Sequence, residues 1–265
     1  MCATCGCGRD STAVITEPHD HEHEHEHPHP HDHGHPATET VILEQRVLAK
    51  NDELAQRNRQ WFADRGILAL NLTSSPGAGK TTLLERTIRE CPNLPIGVIE
   101  GDQETALDSQ RIASTGCRVV QINTGAGCHL DAAMTRRALD ALNPPDRGVV
   151  FIENVGNLVC PALFDLGEQA KVVIVSVTEG TDKPLKYPHM FAAAGLVLIN
   201  KIDLLPYVDF DLDECAHYAR ATNPSVEVLA LSATTGEGLG EWYDRLNDRR
   251  RFIPERPIEV TFQQA

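Results

Sequence analysis

Asn71-Leu72-Thr73-Ser74-Ser75-Pro76-Gly77-Ala78-Gly79-Lys80-Thr81-Thr82 joins an apolar run to an amphipathic one through a loop of small residues. Ile67 to Leu72 predicts a buried strand, and Lys80 to Glu90 a helix with Leu83, Leu84 and Ile88 toward the core. Between them, Gly77 and Gly79 let backbone N–H groups approach phosphate oxygens at a helix N-terminus, with Ala78 and Thr82 in the same cradle. The pattern fits G-x-x-x-x-G-K-[S/T] except at its first position, where Ser74 replaces glycine. Lys80 keeps its reach to the β- and γ-phosphates, and Thr81 keeps a hydroxyl for Mg2+. A chance match in a polar loop is the alternative; the strand before the loop and the helix after it argue against that.

Outward from the loop, Pro95 to Glu100 predicts a second buried strand that ends in Gly101-Asp102. Ligands of open parallel sheets gather at the C-terminal ends of the strands. Asp102 is therefore a candidate for Mg2+ coordination or water positioning, and Glu104, Thr105 and Asp108 follow in a switch-like segment. A surface turn with solvated carboxylates is the plainer reading. Val119 to Ile122 predicts a third strand, leading to Asn123 to Leu130 and a helix over Asp131 to Leu142. Gly148 to Glu153 predicts a fourth strand. Glu153 ends it where a metal-organising or catalytic acid belongs, and the N–H of Gly156 is a candidate contact to the γ-phosphate. Cys128 and His129 are adjacent soft ligands, and Cys160 follows Gly156 by four residues. If neighbouring strand ends bring the three together, they supply a metal site that a partner subunit completes or doubles. Taken singly, each reads as an ordinary buried cysteine or surface histidine.

Ala170 to Val177 and Leu196 to Ile199 predict further strands, the second delivering Asn200-Lys201-Ile202-Asp203. A carboxylate at Asp203 accepts bonds from N1–H and the exocyclic amine of guanine, which adenine does not offer, while the Lys201 stem stacks on the base. Val226 to Leu231 predicts a last central strand, and Ser232-Ala233 at its end offers a backbone N–H to the guanine O6. Two base-reading segments at consecutive strand ends favour GTP over ATP. Glu237 to Arg250 predicts a closing helix, and Phe252 to Ala265 a short tail or edge strand. The fold class is α/β, a P-loop NTPase with a mostly parallel central sheet flanked by helices.

The first forty residues differ in kind. They hold eight acidic side chains against one arginine, half of the formal charge of −14. That charge argues against a nucleic-acid partner held by phosphate contacts. No run of 18 apolar residues exists, so no membrane span is expected, and the apolar segment of a secretory signal is missing. A cytoplasmic protein follows, in which eight cysteines point to metal ligation before disulfides. Cys2, Cys5 and Cys7 lie within six residues, separated by small residues that let the backbone fold round one ion. With Met1 removed, the Cys2 amine adds a nitrogen; such donors suit square-planar Ni2+, and tetrahedral Zn2+ accepts a similar set.

A histidine occupies every odd position from His19 through His21, His23, His25, His27, His29, His31 and His33 to His35, interleaved with acids, Pro and Gly. Such a segment buries no core and is expected to be a disordered sink for nickel, zinc or copper. A purification tag is the competing reading, opposed by the acidic interleaving. Three divisions result: a metal-binding tail over 1–36, a helical segment over 37–66 and a GTPase domain over 67–265. Val41, Val47, Leu48, Leu54 and Phe62 are the expected inward positions of the helical segment.

With these residues in place, the chain resembles the HypB family, the GTPases that deliver nickel during maturation of NiFe hydrogenases. The specific parts are C-x-x-C-G-C at Cys2, Cys5 and Cys7, G-C-H at Cys128 and His129, and E-N-V-G-N-L-V-C-P from Glu153 to Pro161. The resemblance implies a parallel P-loop sheet, a GTP-promoted homodimer, a nickel site at the N-terminal cysteines and a second metal site at Cys128, His129 and Cys160. It also implies a HypA-type nickel accessory protein and the hydrogenase large subunit as partners. A urease-type nickel accessory GTPase is the nearest alternative, but its Cys-Pro-His motif is absent because Ala162 follows Cys160-Pro161. A nickel-storage protein with a vestigial G domain is another, in conflict with intact Lys80, Thr81 and Asp203. On this reading GTP and Mg2+ order the segments after Asp102 and Glu153, and hydrolysis changes the geometry at Cys160. Arg111, Arg136 and Arg137 are arginine-finger candidates only by proximity.

Overall fold

The computed structural model describes residues 37–102, 106–125 and 127–248, with side chains from Arg46 onward. Cys2, Cys5, Cys7, the histidines from His19 to His35, Glu104, Thr105 and the stretch from Phe252 to Ala265 lie outside the described residues. The chain divides into two compact units, Met1–Lys50 and Asn51–Ala265.

In the second unit seven strands form one sheet: β1 (Leu68–Ser74), β2 (Ile96–Asp102), β3 (Arg118–Asn123), β4 (Val149–Glu153), β5 (Ala170–Ser176), β6 (Ala194–Asn200) and β7 (Glu227–Ala230). Their order is β3-β2-β4-β1-β5-β6-β7. Every pair is parallel. Among the described residues the strand expected to be the last central one, β7, is an edge strand. Its residues are correspondingly less buried than those of β5 or β6, with Glu227 and Ala230 exposed.

Strand alternation divides the core. On one face Leu68, Leu70 and Leu72 of β1, Val98 of β2 and Val149 and Phe151 of β4 pack with Leu83 and Leu84 of α2 (Lys80–Glu90) and Trp242 and Leu246 of α9 (Leu239–Asn247). On the other, Ala69, Ile99, Val150 and Ile152 meet Phe62 of α1 (Ala37–Asp64) and Leu139 and Leu142 of α4 (Ala132–Leu142). Asp131 caps α4 by accepting from Met134 N at 2.7 Å, so the expected start is the cap itself.

The apolar pattern of α1 misplaces its buried stripe. In the second unit Phe62 is fully buried as expected but Leu54 is only partly covered, and the side chain of Val41 lies outside the described residues. Within the second unit the stripe is Asn51, Ala55, Asn58 and Phe62, at helical spacing. Both asparagines are buried because their amides find partners. Asn51 donates to Asp165 O and accepts from Ala132 N, and Asn58 donates to Ala132 O and Leu166 O.

Candidate functional site

The phosphate loop follows β1, the strand with β4 on one side and β5 on the other. Gly79 takes a left-handed φ of 102°, and a Cβ there would stand 2.5 Å from the Asn200 amide nitrogen. Glycine is required for both reasons. Lys80 Nζ donates to the Ser74 hydroxyl at 3.0 Å, and Ser74 Oγ donates to Ser75 O. The residue standing at the first glycine position thus parks the lysine. Lys183, at the start of the short helix α6 (Lys183–Lys186), donates to Ser75 Oγ at 3.2 Å and pairs with Glu179 at 3.1 Å. It brings a second ammonium to the loop.

The expected base-reading residues assemble on the same side. Asn200 Nδ2 donates to Ala78 O at 2.9 Å, and Lys201 Nζ to Gly77 O at 2.7 Å, so both are tied to the loop. Asn200 Oδ1 accepts from Ala233 N at 3.0 Å, and Asp203 Oδ1 accepts from Ser232 Oγ. The segments after β6 and β7 are therefore one hydrogen-bonded unit, with the Asp203 carboxylate held in place by a hydroxyl.

The acids converge at the start of α2. Thr81 Oγ1 donates to Glu153 Oε1 at 2.8 Å. Glu153 is 3% exposed, and its Oε2 has no hydrogen-bond partner. Burial pushes its carboxyl up to about 7 against the opposing charge of Lys80 and the Thr81 bond. Asp102 is the half-buried last residue of β2, its carbonyl accepting from Thr124 N at 2.9 Å. An orphaned carboxylate oxygen beside a P-loop hydroxyl fits a divalent cation, which takes oxygen donors. The same face carries Glu100, an acid that sequence reading absorbed into the end of an apolar strand; its sign was a charge at an inward position of that run.

Cys128, His129 and Cys160 do come together, their ligand atoms all within 4.8 Å of one another. Cys128 Sγ lies 2.8 Å from Cys160 Sγ and 3.6 Å from His129 Nδ1. The loops that carry them follow β3 and β4, which are not neighbours; β2 lies between them. Cys160 opens the short helix α5 (Cys160–Leu163) and is buried. Burial lowers the His129 pKa, with the Asp131 charge opposing, which favours the neutral, ligating imidazole. The ring stacks on Phe164 with centroids 3.9 Å apart. Phe164 O in turn accepts from Lys171, which pairs with Glu168 at 2.7 Å in the interior.

The loop after β4 touches both centres. A Cβ on Gly156 would lie 3.1 Å from Pro76 Cα, so this turn rests directly on the phosphate loop. Asn154 Oδ1 accepts from Leu130 N at 3.2 Å, and Asn157 Nδ2 donates to Cys128 O at 3.2 Å. Asn154 and Asn157 fall in the E-N-V-G-N-L-V-C-P stretch, but their bonds, and the parts played by Phe164 and Lys183, escaped sequence reading, because a side chain carries no mark of a partner that is distant in sequence. Arg111 is engaged by Glu85 at 2.6 Å, and Arg136 stands over Trp61 and pairs with Asp140, on the α4 face.

Residues 68–230 match the family described as the CobW/HypB/UreG nucleotide-binding domain. The chain is 57% identical over 209 residues to hydrogenase maturation factor HypB of Escherichia coli (strain K12), covering 78% of this chain and 72% of that one. With the HypB of Azotobacter vinelandii it shares 54% over 224 residues, 84% of this chain and 74% of the other. Among solved structures it is similar to HypB from Archaeoglobus fulgidus, at 40% identity and a TM-score of 0.71 over 76% of this chain and 98% of that one. It is also similar to HypB from Helicobacter pylori in complex with nickel, at 36% identity and a TM-score of 0.72 over 76% and 95%.

Proposed function

The chain belongs to the HypB family of hydrogenase maturation factors and carries its GTPase domain, and from that membership we propose a nickel carrier that uses GTP to time release of its metal. The cargo is destined for the NiFe hydrogenase large subunit. Cys128, His129 and Cys160 hold the transferable ion: two thiols and a neutral imidazole are soft donors suited to Ni2+ or Zn2+. A three-donor set leaves coordination positions for a second copy of the chain, which agrees with a GTP-promoted homodimer.

The observation that carries this reading is the loop from Glu153 to Cys160. It starts at an acid bonded to Thr81, rests Gly156 on Pro76, bonds Cys128 through Asn157 and ends on a metal ligand. A γ-phosphate that draws Gly156 toward itself pulls on the same short segment that fixes the ligands. When bound, Mg2+ supplies positive charge against the phosphates, and Thr81 and Glu153, with Asp102, are the residues that would hold it. Lys80 exchanges Ser74 for phosphate oxygens, and Asp203 reads guanine. The Gly77 to Thr82 backbone cradles the phosphates. The tail is assigned to metal collection: Cys2, Cys5 and Cys7 as a tight nickel site, and His19 to His35 as a storage reservoir that a HypA-type accessory protein draws on. GTP turnover and hydrogenase activation in cells carrying Lys80→Ala test the reading. Loss of both is expected, and hydrogenase activation at the unmodified level would overturn it.

A further inference from the structure

Glu100 of β2 lies in register with Glu153 of β4, and in-register residues on parallel strands project from the same face. Alternation along β2 agrees: Ile96, Val98 and Glu100 share that face, while Cβ atoms on Gly97 and Gly101 would meet Leu142 and Leu130 on the other. Glu100 is 2% exposed, and its Oε2 has no hydrogen-bond partner, as with Glu153 Oε2 beside it. A buried glutamate in a structural role looks different in this same molecule. Glu168 accepts from Lys171 and Asn71 on one oxygen and from Leu166 N on the other. Buried acids left unsatisfied at the mouth of a phosphate loop mark a place where positive charge is missing.

Resting on the reading of this site as a GTP centre, we propose that Glu100 is a positioning residue for the divalent cation, acting with Glu153 to set how tightly the ion is held. Its strand, β2, lies on the opposite side of β1 from β6, which leads to Asp203, so it acts on the ion's donors beside Glu153 without contacting guanine. Nucleotide binding without metal then proceeds through the loop and Asp203 alone, and Glu100 governs only the cation-dependent gain.

The test uses the full chain and a fluorescent GTP analogue, titrated with Mg2+ and in EDTA. For Glu100→Gln the Mg2+ concentration that gives half the gain in affinity rises about 10- to 100-fold, the range seen when outer partners of metal ligands are lost. Glu100→Asp restores most of the response. Unchanged Mg2+ dependence in Glu100→Gln would overturn the inference, and so would equal loss of binding in EDTA, which signals a structural role. Thr81→Ala separates the two levels. If it too leaves the Mg2+ dependence unchanged, the reading of the cation site fails; if it shifts while Glu100→Gln does not, only the role of Glu100 fails.

Discussion

Gly156 lies against Pro76 so closely that a single Cβ would stand 3.1 Å from the proline Cα and nitrogen. The turn that leads to Cys160 therefore packs directly on the phosphate loop, so a shift of either toward the other is resisted. Close packing makes such a contact a mechanical link.

Gly156→Ala should separate the two nucleotides. The added methyl pushes the turn off Pro76, so GTP affinity and turnover fall more than GDP affinity; a misplacement of this kind slows turnover by about 100-fold. Fluorescence titration with both nucleotides checks this, and equal loss for GDP and GTP would count against a γ-phosphate contact.

Asn157→Ala removes the donor to Cys128 O. Nickel affinity at the Cys128, His129 and Cys160 cluster should then respond less to nucleotide. The contrast between GDP and a non-hydrolysable GTP analogue is expected to shrink by about 1 kcal/mol, a typical hydrogen-bond increment, as read by competition with a chromophoric chelator.

Lys171→Met strands a carboxylate. Glu168 is 6% exposed and loses its 2.7 Å partner, so the change should destabilise the protein by about 3–5 kcal/mol in urea unfolding. Because Lys171 also holds Phe164 O, the stack on His129 loosens and nickel affinity falls with stability.

Stability of the nucleotide-free protein in EDTA should depend on pH in a set direction. Glu100 and Glu153 have pKa values raised from 4.5 to about 8 and about 7. The folded state then holds protons that the unfolded state releases. Their stabilising contribution is complete below pH 4.5 and is lost as pH rises through 7 and 8. Thermal unfolding midpoints should fall between pH 5.5 and 8.5, and Glu100→Gln should flatten that fall. A midpoint that rises over the same interval with Glu100 present, and not with Gln, contradicts the assignment.

Asp203→Asn should cost guanine selectivity. Each hydrogen bond to a charged group contributes about 1.5–3 kcal/mol, so the preference for GTP over other purine nucleotides should drop by at least about tenfold. Xanthine nucleotides, which offer a carbonyl where guanine has an amine, should gain.

The phosphate loop, Asn200 to Asp203 and Ser232-Ala233 were legible in the sequence because each is contiguous and its chemistry needs fixed spacing. The helix after the loop keeps its expected bounds of Lys80 and Glu90, since its buried Leu83 and Leu84 carry the helical period. Cys128, His129 and Cys160 were legible as soft donors that meet if their loops do, but the strand between those loops was not, because order in a parallel sheet is set by crossovers that leave no local mark. Asn51 and Asn58 defeat an apolar pattern since their burial depends on distant carbonyls. Glu100 was hidden for the opposite reason: five neighbours of an apolar strand make a single acid look like its end.

The central claim is that nucleotide state sets metal affinity through the loop from Glu153 to Cys160. The most direct measurement is nickel affinity of the full chain with Cys2, Cys5 and Cys7 changed to serine, followed by nickel–thiolate absorption so that the histidine tract does not contribute. GDP and a non-hydrolysable GTP analogue are compared. The account predicts affinities that differ by about tenfold or more, a coupling of at least about 1.4 kcal/mol. Equal affinities in the two states, with the absorption still lost in Cys160→Ala, would contradict it.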